Sequence, residues 1–184
     1  QQAIPAALGI EIFHNFSLVH DDIMDRAPLR RGKQTVHEKW NANTAILSGD
    51  TMLVKAYEQF LKLPEPLIKP ALSVFNLTAA GVCEGQQMDM NFEEKIDVSI
   101  PEYIEMIRLK TAVLIGAALK LGSLVAGAPD EDQQKLFDFG IHTVSWANAA
   151  GTGGVSSVTA AEVGGVAATP AGPAITLNRC GCNV

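Results

Sequence analysis

Apolar side chains recur at intervals of three and four residues along the chain as far as residue 142, which is the spacing of one face of an α-helix. No strand-like alternation of useful length interrupts this pattern. In the first helical stretch the apolar positions are Leu8, Ile12, Phe16, Val19 and Ile23. The pattern therefore predicts an all-α fold, built as a bundle of long helices.

Proline and glycine set the predicted ends of these helices. Pro70 is expected in the first turn of the third helix, where proline is tolerated because the missing N–H has no partner there. Gly127 and Pro129 separate the last two helices, and the basic stretch 27–32 is expected to be a loop. The predicted helices cover residues 6–25, 41–62, 70–92, 101–126 and the segment that begins at Pro129.

Residues 111–128 are almost entirely apolar and raise the alternative of a membrane-spanning helix. Lys120 lies inside the stretch, small residues are frequent there, and the neighbouring helices are also rich in apolar positions. We therefore expect a buried core helix and no membrane span.

The composition changes after residue 142. Residues 143–184 hold one acid and one base, Glu162 and Arg179, and they are rich in alanine and glycine. We expect two parts, a helical domain over residues 1–142 and a low-complexity, non-helical tail over residues 143–184. The chain also begins at Gln1 inside a helical pattern, with no signal peptide, so we expect a fragment.

Charge and cysteine content exclude several classes of protein. The chain has 20 acidic and 14 basic residues and a net charge of −6. This balance argues against nucleic-acid binding, which requires basic stripes. Three cysteines are too few for a disulfide scaffold, so a reducing, cytoplasmic location is expected.

An acidic cluster closes the first predicted helix. Asp21 and Asp25 are four residues apart, so they share one helix face, and Asp22 adds a third charge beside them. Like charges at this spacing repel each other, and carboxylate oxygens suit Mg²⁺, which binds one or two carboxylates together with substrate phosphates. A solvated acidic helix end is the alternative. The apolar neighbours of the cluster favour a binding site.

A basic segment follows within a few residues. Arg30, Arg31 and Lys33 surround Gly32, which allows a tight turn and a close approach of the backbone. Arginine forks match phosphate oxygens. The acidic and basic segments together predict a site for Mg²⁺ and diphosphate, although a loop that pairs with nearby acids is the alternative.

These residues resemble the first aspartate-rich motif of the trans-isoprenyl diphosphate synthases, a family whose fold is an all-α bundle. Four further matches follow in the order that the family shows, and the resemblance covers residues 1–142. They are Gly49-Asp50, Gly85-Gln86 with Asp89, Lys110-Thr111 and Phe139-Gly140.

The resemblance implies a Mg²⁺-dependent prenyltransferase that joins an allylic diphosphate to isopentenyl diphosphate, head to tail. It implies that Asp21 and Asp25 bind metal and that Asp22 supports them. A soluble homodimer is also implied. The remaining implied roles are allylic diphosphate binding for Arg30 and Lys110, isopentenyl diphosphate binding for Arg31, and cation stabilisation for Gln86, Lys110 and Thr111.

Residues four and five before the first aspartate set product length in the family. Phe16 lies roughly 7.5 Å below Asp21 along the helix, and the small Ser17 lies between them. This combination resembles short-chain synthases that make C15–C20 products. Ordinary core packing is the alternative for Phe16, and Phe13 and His14 are candidates for the floor of the site.

Two family segments are not found in the sequence. A Gly-Lys-x-x-Arg segment would precede Gln1, and a second aspartate-rich motif would follow Gly140, whereas no aspartate occurs after Asp138. The alternatives are therefore a class I terpene cyclase, a non-catalytic subunit of a prenyl synthase and an inactive fragment. The two-diphosphate set, Arg30-Arg31-Gly32 with Lys110-Thr111, argues against the cyclase.

Overall fold

The computed structural model describes residues 2–151 of the chain, with side chains as far as Ser145. The predicted all-α fold is confirmed, because the described residues are helical apart from connecting segments and one short hairpin. The helices are α1 (Ile4–Met24), α2 (Val36–Lys39), α3 (Ala42–Phe60), α4 (Glu65–Glu94), α5 (Ile100–Ile107), a π-helical turn (Arg108–Ala112), α6 (Val113–Val125) and α7 (Asp130–Gly151). The hairpin strands are β1 (Leu29–Arg30) and β2 (Lys33–Gln34).

The third predicted helix begins earlier than expected, at Glu65, and Pro70 lies inside it. Pro64 is the N-cap residue, and Pro66 occupies the first turn in place of Pro70. A proline one turn further on removes a single backbone hydrogen bond. The helix continues through it because the next turns bury Ala71 and Phe75 in the core.

The fourth predicted helix is divided into three parts. A capping box begins α5: the Ser99 hydroxyl accepts from the backbone N–H of Glu102, whose carboxylate accepts from the Ser99 backbone N–H. The Ser-x-x-Glu spacing is a sequence signal for this start. The π-helical turn Arg108–Ala112 then separates α5 from α6, and π-turns inside helices are frequent at functional sites.

Helix α7 continues past residue 142 and is described as far as Gly151. The prediction that the non-helical tail begins at residue 143 is therefore wrong for its first turns. Acids in the first turn, Asp130, Glu131 and Asp132, favour the start of this helix through its dipole. The rest of the predicted tail, residues 152–184, lies outside the described residues.

Helices α1 and α3 pack side by side in opposite directions. Gly9, near the start of α1, faces Phe60 at the end of α3, and His20, near the end of α1, lies against Gly49. Aromatic rings fill the space behind this pair. Phe75 of α4 contacts Phe13 and Phe60, with ring centroids 5.2 and 4.6 Å apart.

Helices α6 and α7 approach so closely that glycine is needed on both. A Cβ on Gly116 would lie 2.8 Å from the Phe137 carbonyl oxygen, and a Cβ on Gly140 would lie 2.8 Å from Gly116 Cα. Lys120 donates to Gln134 further along the pair, which shows that the two helices are antiparallel.

Two apolar helices, α6 and α4, bear on the expectation that the chain has a buried core helix and no membrane span. The stretch that suggested a span, residues 111–128, contains α6 and buries Val113, Ala117 and Leu121 in the core, as expected. Among the described helices, α4 has the length and composition to cross a membrane. Its buried residues, among them Phe75 and Val82, belong to the same core.

Two glycines of α6 test the packing against α7. Gly116→Ala should destabilise the protein by about 1–3 kcal/mol, because the added methyl meets the α7 backbone. Gly122 has no neighbouring atoms within 4 Å, so Gly122→Ala should stabilise the helix by about 0.5–1 kcal/mol. Urea denaturation of the two variants measures both effects, and equal stabilities would show that the helices do not pack this closely.

Candidate active site

Three aspartates lie where α1 ends. Asp21 and Asp22 are in the last turn, and Asp25 is the C-cap residue. The C-terminal end of a helix carries partial negative charge, so acids there are unfavourable. The last turn of α1 contains no basic residue. The cations that neutralise this end must therefore come from other elements.

The β1–β2 hairpin supplies the first cation. Arg30 pairs with Lys33 across the ladder, which leaves Arg31 and Gly32 as a two-residue turn. Both turn residues have positive φ, 51° and 75°, as a type I′ hairpin requires. Gly32 adopts this backbone without strain, and the tight turn positions Arg30 beside the end of α1.

Arg30 bridges two of the aspartates. Its Nε donates to Asp22 Oδ1 at 2.7 Å, and its Nη2 donates to Asp21 Oδ2 at 3.0 Å. A planar guanidinium suits two acceptors in this way. Arg31, by contrast, is exposed and forms no ion pair with the part of the chain that the structure describes.

Lys110, in the π-helical turn, supplies the second cation. Its Nζ donates to Asp89 Oδ2 of α4 at 2.6 Å and lies 3.4 Å from Asp21 Oδ1. The α4 backbone can come this close because residue 85 is glycine. A Cβ on Gly85 would collide with the backbone nitrogen of Lys110 and lie 2.7 Å from the Leu109 carbonyl carbon.

Burial and neighbouring charges shift the pKa values of three groups in the site. Burial raises the pKa of Asp22 above its ordinary value, against the opposing effect of Arg30. Burial and the charge of Asp21 raise the pKa of Asp25. Burial alone would lower the pKa of Lys110, but the hydrogen bond to Asp89 and the charge of Asp21 outweigh it and raise that pKa. Lys110 therefore stays charged, and a further cation near the aspartates would be favoured.

The donor set at the end of α1 fits a hard cation that keeps part of its water shell. Asp21 Oδ1 is buried and accepts no hydrogen bond, whereas Asp22 Oδ1 is held by Arg30. Within residues 2–151 no group of three or more His, Cys, Asp or Glu side chains is arranged to hold a metal. One or two carboxylates with water and phosphate oxygens are the usual ligands of Mg²⁺.

The other two predicted catalytic residues flank Lys110. The Gln86 side-chain nitrogen is buried and has no hydrogen-bond partner among the described residues. Thr111 follows Lys110 in the π-helical turn and is exposed. Gln86 directly follows Gly85, the residue at which α4 meets the backbone of Lys110.

Phe16 and Ser17 lie on different faces of α1. At 3.6 residues per turn, Ser17 is roughly 40° from Asp21 around the helix and Phe16 is roughly 140° away. Phe16 is buried against Phe13 and His20, with ring centroids 5.4 and 4.7 Å away. Ser17 is half-buried, and its hydroxyl donates to the His14 carbonyl at 2.8 Å. Of the two residues, Ser17 is the one that shares the face of Asp21.

The role of Gly49-Asp50 was not deducible from the sequence. The ring of His20 lies where a Cβ on Gly49 would be. The Nε2 atom of His20 is 3.3 Å from the Ile46 carbonyl oxygen and 3.7 Å from Asp50 Oδ1. These contacts hold the end of α1, next to Asp21, against α3.

Comparisons with known proteins agree with this geometry. The family model described as polyprenyl synthetase matches residues 1–144. The geranylgeranyl diphosphate synthase of Methanosarcina mazei is 45% identical over 142 residues, which are 76% of this chain and 44% of that protein. A crystal structure of a geranylgeranyl pyrophosphate synthase matches with 51% identity and a TM-score of 0.77, over 78% of this chain and 44% of the other.

A third match is the geranylgeranyl pyrophosphate synthetase of the archaeon Geoglobus acetivorans. Its structure is 42% identical, with a TM-score of 0.75, over 78% of this chain and 48% of that one. The chain therefore spans less than half the length of these relatives.

The raised pKa of Asp25 predicts a pH-dependent gain on neutralisation. The folded protein holds the Asp25 proton more tightly than the unfolded chain does, so ionisation of Asp25 opposes folding at neutral pH. Asp25→Asn should be more stable than the wild type at pH 7. The gain should vanish as the pH falls through the raised pKa toward the ordinary value of 3.8.

Thermal unfolding at several pH values measures this difference. The exposed Asp97→Asn controls for the loss of one negative charge elsewhere. An Asp25→Asn variant that is less stable than the wild type at pH 7 would show that cations already compensate Asp25.

Proposed function

Because this chain belongs to the polyprenyl synthetase family, we propose that it forms the allylic-diphosphate side of a trans-prenyltransferase. The enzyme condenses an allylic diphosphate with isopentenyl diphosphate, head to tail, to a short-chain C15–C20 prenyl diphosphate. One observation carries this proposal. The carboxylates suited to metal and the cations suited to diphosphate converge at the end of α1, within 2.7–3.4 Å of each other.

Asp21 and Asp25 hold Mg²⁺ in this proposal. The oxygen of Asp21 that accepts no hydrogen bond supports its role as a ligand. The bond from Arg30 supports a different role for Asp22, which orients its neighbour and does not bind metal directly. When bound, Mg²⁺ acts as a Lewis acid that neutralises charge on the departing diphosphate.

Arg30 and Lys110 bind the allylic diphosphate. Both carry fixed positive charge, and both reach Asp21 from separate elements, so phosphate oxygens that meet the carboxylates also meet these donors. Arg31, exposed on the far side of the hairpin turn, binds isopentenyl diphosphate.

Gln86 and Thr111 face the carbon centre from which diphosphate leaves. Their side-chain oxygens are acceptors, and acceptors aimed at a developing allylic cation lower the energy of the transition state. The absence of a partner for the Gln86 nitrogen among the described residues supports a functional position for this side chain. Lys110 stands beside both residues.

Product length follows from the small Ser17 on the aspartate face of α1. The growing chain passes Ser17 toward the start of the helix. Phe16 supports this part of α1 from another face, through its contacts with Phe13 and His20. Two relatives that match the chain are named geranylgeranyl diphosphate or pyrophosphate synthase, which supports a short product.

A second copy of the chain is the proposed protein partner, in a cytoplasmic homodimer. Large apolar side chains on α3 and α4 are exposed, which supports burial against another protomer. They include Leu47 at 66%, Val54 at 58% and Leu77 at 78% exposure.

The two neighbouring aspartates should differ in their effect on catalysis. Loss of a side chain that supports a metal ligand costs about 10–100-fold, which is the expected fall in turnover for Asp22→Ala. Asp21→Ala removes a ligand and should cost more. Steady-state incorporation of isopentenyl diphosphate by the whole enzyme measures both variants, and equal losses would contradict these assignments.

Product analysis and a binding measurement separate the proposed function from its alternatives. Cyclic products formed without consumption of isopentenyl diphosphate would indicate a class I terpene cyclase. Failure to bind allylic diphosphate in the presence of Mg²⁺ would indicate a non-catalytic subunit or an inactive fragment.

A further inference from the structure

The hairpin that carries Arg30 is short and largely exposed. Its ladder consists of two residue pairs, Leu29 with Gln34 and Arg30 with Lys33, and an isolated two-stranded hairpin is only marginally stable in water. Leu29, Lys33 and Gln34 are exposed, so the strands bury little apolar surface. The position of the hairpin therefore depends on polar contacts with its neighbours.

Thr35, at the base of the hairpin, makes such contacts. Its hydroxyl donates to the Ala27 carbonyl oxygen at 2.7 Å, and its backbone N–H donates to the Pro28 carbonyl oxygen at 3.2 Å. The backbone N–H of Ala27 in turn donates to the Asp22 carbonyl oxygen at 3.0 Å. The two ends of the hairpin are thus joined to each other and to the end of α1. We call the two bonds from Thr35 the hairpin clasp.

A threonine at this position usually has a different role. Thr35 is the N-cap residue of α2, and an N-cap hydroxyl normally accepts from a backbone N–H in the first turn of its helix. Within the part of the chain that the structure describes, Thr35 forms no such capping bond. Its hydroxyl donates to Ala27 instead, and the residue is only 3% exposed. The Ala27 carbonyl would lose this donor if the hydroxyl were removed, which favours opening of the clasp.

We propose that Thr35 is a positioning residue, which keeps Arg30 at the site through the hairpin clasp. This inference rests on the proposed function, in which Arg30 binds the allylic diphosphate. In the structure Arg30 ties the hairpin to Asp21 and Asp22, and this tie weakens when phosphate oxygens become its acceptors. The clasp contains no charged group, so substrate leaves it intact. It holds the backbone that carries Arg30 while the guanidinium binds phosphate.

Thr35→Val removes the hydroxyl and keeps the shape of the side chain. Calorimetry on the purified full chain measures the affinity for a non-cleavable analogue of geranyl diphosphate in Mg²⁺. Thr35→Val should bind the analogue about 10-fold more weakly than the wild type, as expected when one charge-assisted hydrogen bond is lost. Thr35→Ser keeps the hydroxyl and should bind like the wild type. A loss in Thr35→Ser as large as that in Thr35→Val would overturn the proposal, because the hydroxyl would then have no part in it.

Thr78→Val is the matched control. Thr78 is also 3% exposed, and its hydroxyl also donates to a backbone carbonyl, that of Val74 in α4, at 2.9 Å. The same substitution therefore removes one hydrogen bond of the same kind away from the hairpin, and the affinity should equal that of the wild type. A 10-fold loss here as well would contradict the proposal, because a general loss of stability would then explain the effect.

The dependence on Arg30 is tested in the double variant. If the clasp acts through Arg30, Thr35→Val should cause no further loss of affinity for the analogue in the Arg30→Gln background, because residues that act through one contact are not additive. A further loss as large as in the wild-type background would show that Thr35 acts by another route, and the positioning role would be wrong.

Hydrogen exchange tests the clasp without substrate. The backbone amides of residues 29–35 should exchange faster in Thr35→Val than in the wild type and in Thr78→Val. Unchanged exchange would show that Thr35 does not hold the hairpin. If Thr35→Val does not fold, Thr35→Cys replaces it in every measurement and should show the same losses, because a thiol is a weak donor.

Failure of the proposed function gives a different result. If the wild type does not bind the analogue in Mg²⁺, but exchange of the hairpin amides is faster in Thr35→Val, the hairpin clasp stands and the proposed function is wrong. If the wild type binds the analogue and Thr35→Val exchanges faster without any loss of affinity, the positioning role of Thr35 is wrong and the proposed function stands.

Discussion

The rest of the site depends on neutralisation of three aspartates at the C-terminal end of one helix. The helix dipole, mutual repulsion and burial all oppose negative charge there, and α1 offers no base in its last turn. The hairpin and the π-helical turn each bring one cation to this end, Arg30 and Lys110. The pKa values of Asp22 and Asp25 are nevertheless raised, so the end of α1 still favours a further cation.

Glycines make this arrangement possible by allowing backbones to meet. Gly85 lets α4 touch the turn that carries Lys110, Gly49 accommodates the ring of His20, and Gly32 closes the hairpin that carries Arg30. In each case a side chain at the glycine would displace a group that lies at the site or strain the backbone that positions one. The positions of the charged side chains therefore depend on these three glycines.

Sequence patterns predicted the long helices and the acidic and basic segments, because helical spacing and local charge are properties of neighbouring residues. They could not predict the pairing of Lys110 with Asp89 on separate helices, or the π-helical turn, which has no sequence signature of its own. The sequence predicts Pro70 at a helix start because proline is tolerated in a first turn, whereas Pro64 and Pro66 already occupy the start of α4. The distance of Phe16 from Asp21 predicts a place near the substrate, whereas its angle around α1 turns it away from Asp21 and onto Phe13 and His20.

The central claim is that the end of α1 forms a joint site for a divalent cation and an allylic diphosphate. Isothermal calorimetry with a non-cleavable analogue of geranyl diphosphate, in Mg²⁺ and in excess chelator, tests it most directly. We predict saturable binding in Mg²⁺ that is lost in chelator. Equal binding in both conditions, or no binding in either, would contradict the account.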